Sequence, residues 1–331
     1  MRITSIIVIG WMILAASGCG PLSFSVGPAP IDQRLTRTKV LSDGRWFSDR
    51  VAVIDVSGLL LSVEKPELLQ PGENPLGSLH EKLAEAADDP RVKAVILRLN
   101  TPGGTVTASD AMHREVQRFR QTTGKPVVAL MMDVAASGGY YLACAADRIV
   151  AYPTTVTGSI GVIVQTLSLQ PALARIGVQA QAITSGPNKE AGSPLSTLTP
   201  EHRQVLQNLV DDFYARFVEV VRHARPQIPQ EEFARVTDGR VMSGEAAAAL
   251  GLVDRTGDIY DAFALAKQLA GIESADLVLY HRPLQYVASP YAVAPVPAAG
   301  TQVNLVQLNV GRLLGFDTPV GVYYLWQPNL P

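Results

Sequence analysis

A chain of 331 residues, 47% hydrophobic and 18% charged, can bury a sizeable core as one large domain or two small ones, which excludes disorder over most of its length. Its 28 Lys and Arg against 30 Asp and Glu leave a formal net charge of -2 with no block of like charge, so no nucleic-acid partner is expected. The two cysteines, Cys19 and Cys144, lie outside any C-x-x-C or His/Cys cluster, and neither a disulfide framework, nor a metal, nor a cofactor is expected.

Residues 1–18 read as a signal peptide of the lipoprotein type: Arg2, an apolar run from Ile3 to Ala16, then small residues before Cys19. The run of ~14 residues is shorter than the ~20 that span a bilayer as a helix. Ala16-Ser17-Gly18-Cys19 resembles a bacterial lipobox, in which the cysteine sulfur carries a diacylglycerol; the alternative is an uncleaved short anchor helix. Either way the rest of the chain is expected outside the cytoplasm, beside a membrane. Residues 19–50, with Pro21, Pro28 and Pro30, read as a tether with no core.

From Val51 the pattern changes to short apolar runs separated by amphipathic segments. Residues 51–56, 94–99 and 127–132 are compact, apolar and bounded by Gly, Pro or charge, which predicts buried parallel strands. Helices are predicted over 76–88, where Leu76, Leu79, Leu83 and Ala87 share a face, and over 107–121. The alternation predicts an α/β architecture. Further on, Thr199 as cap and Pro200 at the first position start a long helix over 200–224, with Val205, Leu209, Phe213, Phe217 and Val220 on one stripe. Shorter helices are predicted at 243–250 and 258–270, ended by Gly251 and Gly271. A Pro- and Ala-rich linker, 283–299, then precedes an apolar stretch, 303–326, read as packing surface because polar residues interrupt it.

Glycines cluster at Pro102-Gly103-Gly104 and Ser137-Gly138-Gly139, each just past a predicted strand. Glycine lets a ligand approach the backbone, and a helix start leaves free N–H donors, a combination that suits an oxyanion hole. Tight strand-to-helix turns use the same residues, so the glycines alone leave both readings open. Ser137 sits where a nucleophile would, at a sharp strand-to-helix turn. None of the five histidines lies in a segment that the sequence brings near it, and His113, His202 and His223, on amphipathic helices, read as surface residues. Lysine is the other base, and Lys189 lies in a loop of small residues, where a lysine is ordinarily solvated. Cys144 reads as a small core residue.

Six ordered motifs decide between these readings: Asn100-Thr101-Pro102-Gly103-Gly104, Ala135-Ala136-Ser137-Gly138-Gly139-Tyr140-Tyr141, residues 145–150, Thr157-Gly158-Ser159-Ile160-Gly161-Val162, residues 185–193 and residues 238–246. With them the chain resembles the signal peptide peptidase A family of serine proteases (peptidase family S49) over about residues 50–272. The resemblance implies a Clp protease/crotonase-like spiral of ββα units with one catalytic module in residues 51–272 and a helical C-terminal part, leaving 273–331 as an extension without a matching motif. It also implies a serine–lysine dyad: Ser137 as nucleophile, Lys189 as general base, Ser159 as the serine that orients the lysine, and the backbone N–H groups of Gly104 and Gly138 as oxyanion donors. Asn100-Thr101 stands where Asp-Ser is commoner in the family. The function so implied is hydrolysis of hydrophobic peptides, such as cleaved signal peptides, by a lipid-anchored homo-oligomeric ring whose sites are shared between subunits. The rival readings are a crotonase-like binding or scaffolding protein and an acyl-CoA hydratase-type enzyme, the second opposed by the export signal.

Overall fold

The computed structural model describes residues 34–43, 48–63, 74–283, 287, 289–292 and 322–326. The lipobox with Cys19, the first part of the tether and most of the apolar stretch 303–326 lie outside them. All the elements belong to one unit, Leu35–Pro331.

Along the chain the elements run β1 (Thr36–Ser42), β2 (Asp49–Ser57), α1 (Pro75–Asp88), β3 (Val92–Thr101), β4 (Gly103–Thr105), α2 (Val106–Thr123), β5 (Val127–Ala136) and α3 (Gly138–Ala143). There follow β6 (Arg148–Ala151), β7 (Val156–Gly158), β8 (Ile163–Val164), α4 (Gln170–Arg175), α5 (Pro200–Ala224), α6 (Gln230–Val236), β9 (Val241–Ser243) and α7 (Gly244–Ala249). The described chain closes with β10 (Arg255–Thr256), α8 (Ile259–Ala270), β11 (Ala275–His281) and β12 (Val322–Leu325).

The fold is α/β, as expected. Its main sheet has the order β1-β11-β2-β3-β5-β6-β10, and β7 continues it from the far end of β5 and pairs with β9. From β11 to β10 every neighbouring pair is parallel, so each crossover must be carried by a helix or a long connection. Side-chain alternation splits the core between the two faces. Ile54, Leu97 and Met131 point to one side, into a cluster with Leu79, Met112, Tyr141 and Phe217 of the α1, α2, α3 and α5 layer. Val53, Ile96 and Leu130 point to the other, against Ile259, Phe263 and Ala266 of α8.

The predicted helices form where their caps dictate. Thr199 accepts a hydrogen bond from the N–H of His202 at the head of α5, and Asp258 with Asp261 closes a capping box on α8. Gly271 ends α8 in the left-handed conformation with φ 66°.

Strand pairing crosses both limits of the segment 51–272. Strand β1, from the stretch read as tether, pairs antiparallel with β11, which in turn pairs with β2. Buried Arg98 then ties residues beyond β11 to the sheet: it forks onto Asp55 and donates to the carbonyls of Pro290 (2.5 Å) and Ala292 (2.6 Å). Finally β12 fills a second, three-stranded sheet of order β4-β12-β8. The long stripe on α5 also differs from expectation, because only Phe217 of its five residues is fully buried and Val205 is exposed.

Candidate active site

The turn from β5 into α3 carries Ser137. Its backbone is left-handed, φ 53° and ψ −115°, a conformation that costs a non-glycine residue of order 1–3 kcal/mol and persists only where the surroundings hold it. They do so here. The N–H of Ser137 donates to the Gly158 carbonyl (2.8 Å), and its carbonyl accepts from the N–H of Tyr141 (2.9 Å). The result is a sharp strand-to-helix elbow of the kind that aims a serine hydroxyl out of a sheet. Ser137 is 1% exposed and its Oγ has no hydrogen-bond partner.

Ser159 is brought beside it by the parallel pairing of β7 with β5, in which Ala136 faces Gly158. It too has positive φ, 50°, and its N–H donates to the Arg240 carbonyl (2.7 Å). The motif around Arg240 therefore serves as backing for the motif around Ser159.

Gly103 and Gly104 reach Ser137 from the other side. A Cβ on Gly103 would lie 2.8 Å from the nitrogen of Gly138, and φ at Gly103 is 103°, so a side chain is barred on both counts. Thr101 shapes this turn: its hydroxyl donates to the Gly58 carbonyl (2.5 Å) and accepts from the N–H of Gly103 (3.1 Å). Asn100 accepts from the N–H of Val134 (3.2 Å) and donates to Asp133 (3.2 Å), which fastens the end of β3 to β5. The departure at Asn100-Thr101 is thus compatible with a fully bonded turn.

Lys189 makes no hydrogen bond to Ser137, whose Oγ has no partner. It is exposed, in a loop built from successive turns closed by Lys189 N–H to Gly186 O, Ala191 N–H to Asn188 O and Ser193 N–H to Glu190 O. Two residues at the head of α5 hold that loop: His202, whose Nε2 lies 2.8 Å from the Pro187 carbonyl, and Glu201, which accepts from Asn188. No histidine bonds to Ser137.

Two of the three helix histidines correct the expectation of surface positions, while His223 is exposed as expected. His113 is buried and packs edge-on against Tyr141 at 5.1 Å, and burial lowers its pKa to about 4. His202 is buried as well. What packs on each helix decides their burial: Tyr141 lies against the His113 ring, and the Pro187 carbonyl meets His202. Cys144, behind the elbow, is buried, and its thiol is pushed up to about 12, which makes it a poor nucleophile. Among the described residues no group of three or more His, Cys, Asp or Glu could hold a metal, and no helix is long and apolar enough to cross a membrane.

The sequence profile of Peptidase family S49 matches residues 119–273, which include the elbow and the lysine loop. A putative protease of Synechocystis sp., slr0021, is 34% identical over 224 residues that cover 68% of this chain and 76% of the relative. The chain belongs to peptidase family S49, the signal peptide peptidase A family. Protease 4 of Salmonella typhi is 37% identical over 230 residues, 70% of this chain but 36% of the relative; the chain thus spans about a third of that protein's length. Among solved structures, a variant of the membrane-bound stomatin-specific protease 1510-N matches with a TM-score of 0.41 and 18% identity, covering 65% of this chain and 84% of that one.

The site also contains residues without a sequence motif. Strand β12 lies against β4, with Tyr324 facing Gly104, and Tyr324 is fully buried. The apolar stretch before it offered only hydropathy as a signal.

Proposed function

We propose that this S49 peptidase is a serine endopeptidase in which Ser137 attacks the carbonyl of a hydrophobic peptide and Lys189 takes and returns the proton. The N–H groups of Gly104 and Gly138 stabilise the tetrahedral oxyanion, and Ser159 orients the lysine. The observation that carries this reading is Ser137 itself: a strained, unpartnered hydroxyl at a strand-to-helix elbow, with two glycine turns meeting beside it. A serine kept for packing alone would pay that backbone cost without return.

The dyad is completed between subunits of a homo-oligomer. Lys189 stands exposed in a segment that also exposes Leu167, Ile176, Val178, Ile183 and Leu195, more large apolar surface than a lone subunit ordinarily leaves in water. Packing this arm against a neighbour buries the apolar residues and desolvates the lysine, and desolvation favours its neutral, proton-accepting form. A lipid on Cys19 holds the assembly at a membrane outside the cytoplasm, where cleaved signal peptides are substrates of the right chemistry. Residues 51–272 carry the peptidase module.

A fluorophosphonate, which reacts only with an activated serine, tests the nucleophile. Peptide mapping is expected to place the label on Ser137. Ser137→Ala and Lys189→Ala are each expected to lower peptide hydrolysis by about a thousandfold or more, with the double variant no worse than either. Full turnover in Lys189→Ala removes the lysine from the mechanism.

A further inference from the structure

Lys189 closes a tight turn. Its N–H donates to the Gly186 carbonyl (3.2 Å), so residues Gly186 to Lys189 form a β-turn with Pro187 and Asn188 at its centre. The next turn begins at once, because the Asn188 carbonyl accepts from the N–H of Ala191 (3.2 Å). Lys189 thus belongs to both turns, and the direction of its side chain follows the orientation of the peptides that lead into it.

Two forms of such a turn compete. With proline second, types I and II are both allowed and differ by a flip of the central peptide, and type II needs a positive φ at the third residue, which asparagine tolerates. Asn188 does not take it, because among the described residues the non-glycines with positive φ are Ser137 and Ser159. What holds the central peptide is the head of α5. Thr199 caps this helix by accepting from the N–H of His202 (3.1 Å), which sets His202 in its first turn. A capping-box residue there would fold back to the cap; the His202 side chain reaches across to the loop instead, and its Nε2 meets the Pro187 carbonyl at 2.8 Å. A carbonyl only accepts, so Nε2 carries the hydrogen and Nδ1 does not. Nδ1 is buried without a partner, an unfavourable place for a polar atom, so the ring is kept there for its Nε2 end. Glu201, one residue before, accepts from the Asn188 side chain (3.1 Å). Both central residues of the turn are therefore fastened to the same helix end.

We propose that His202 is a positioning residue for the peptidase reaction: by holding the Pro187 carbonyl it fixes the central peptide of the turn that ends on Lys189, and so keeps the lysine amine in the direction from which it takes the proton of Ser137. This rests on Lys189 being the general base. Without the bond the flipped turn becomes populated, and only the fraction of chains with the turn in its held form is competent. Turnover falls with that fraction, whereas the groove that binds the peptide is untouched.

Two variants of the full-length chain separate the hydrogen bond from the bulk of the ring. In His202→Gln the side-chain N–H lies as many bonds from Cα as Nε2 does and reaches the Pro187 carbonyl; in His202→Asn it stops at the distance of Nδ1 and falls short. With a hydrophobic fluorogenic peptide, His202→Asn is expected to lower kcat about tenfold or more with KM within about twofold, and His202→Gln to stay within about threefold of wild type. Added to Lys189→Ala, His202→Asn is expected to cause no further loss, because it acts only through the lysine. Equal kcat in the two single variants overturns the proposal, and so does a further loss in the double variant. A His202→Asn chain that no longer folds overturns it as well, since the residue then serves the fold. Failure of the underlying reading is distinct: Lys189→Ala by itself then keeps full turnover.

Discussion

Ser137 and Ser159 occupy left-handed backbone on two adjacent strand ends, each fixed by a main-chain hydrogen bond from its own N–H. The strain is held by the sheet, so the serines themselves can change without loss of fold, and Ser137→Ala is expected to keep the wild-type melting temperature while losing activity. His113 behaves differently. Its buried ring faces Tyr141, with Asp110, Arg114, Arg120 and Arg216 around it, and burial lowers its pKa to about 4 from the ordinary 6.5. The unfolded chain therefore binds a proton that the folded one refuses, and the stability is fully present above about pH 6.5 and lost as pH falls toward 4. The effect is on the order of 2 kcal/mol between about pH 7.5 and pH 5. Urea unfolding at the two pH values is expected to reveal this loss in the wild type and a smaller one in His113→Gln; equal losses exclude His113 as its source.

The elements around the site depend on backbone approaching backbone. A Cβ on Gly104 would stand 2.0 Å from the Leu60 carbonyl, which is main chain and has no rotamer to yield. Gly104→Ala is expected to cost about 2 kcal/mol or more in stability, and to widen the turn next to Ser137. Gly186, in the lysine loop, has open space around its Cβ position, and Gly186→Ala is expected to stay within about 0.5 kcal/mol of wild type. Chemical denaturation of the two variants checks the contrast, and equal costs would mean that the Leu60 contact is not what the glycine serves. These elements were largely legible in the sequence. Thr199-Pro200 and Gly271 are local signals that act over a few residues, and they start and end helices where the structure does. The strands β1, β9 and β12 were not legible, because what makes them strands is a partner far along the chain.

For the whole molecule, an exposed Lys189 and a buried Ser137, with no hydrogen bond between them, are the starting point. If the dyad forms between subunits, co-expressed Ser137→Ala and Lys189→Ala chains are expected to recover activity, because some mixed sites pair a wild-type serine with a neighbour's wild-type lysine. Differently tagged chains pulled down together establish co-assembly. Co-assembled mixtures as inactive as either parent mean that the dyad closes within one subunit.

The sequence by itself determined the α/β class, the family, the elbow with its two glycine turns and most helix limits, because those are set by periodicity, caps and short motifs acting over a few residues. His113 and His202 went inside against expectation, since burial is decided by what packs on a helix and not by the helix alone. Only the tertiary structure decided that residues 36–42 and 275–281 close one edge of the sheet, and that Tyr324 enters the space beside Ser137 from nearly 190 positions away. Such pairings are made by backbone groups that every residue carries, so they leave no mark on composition or spacing until the partner strand is in place.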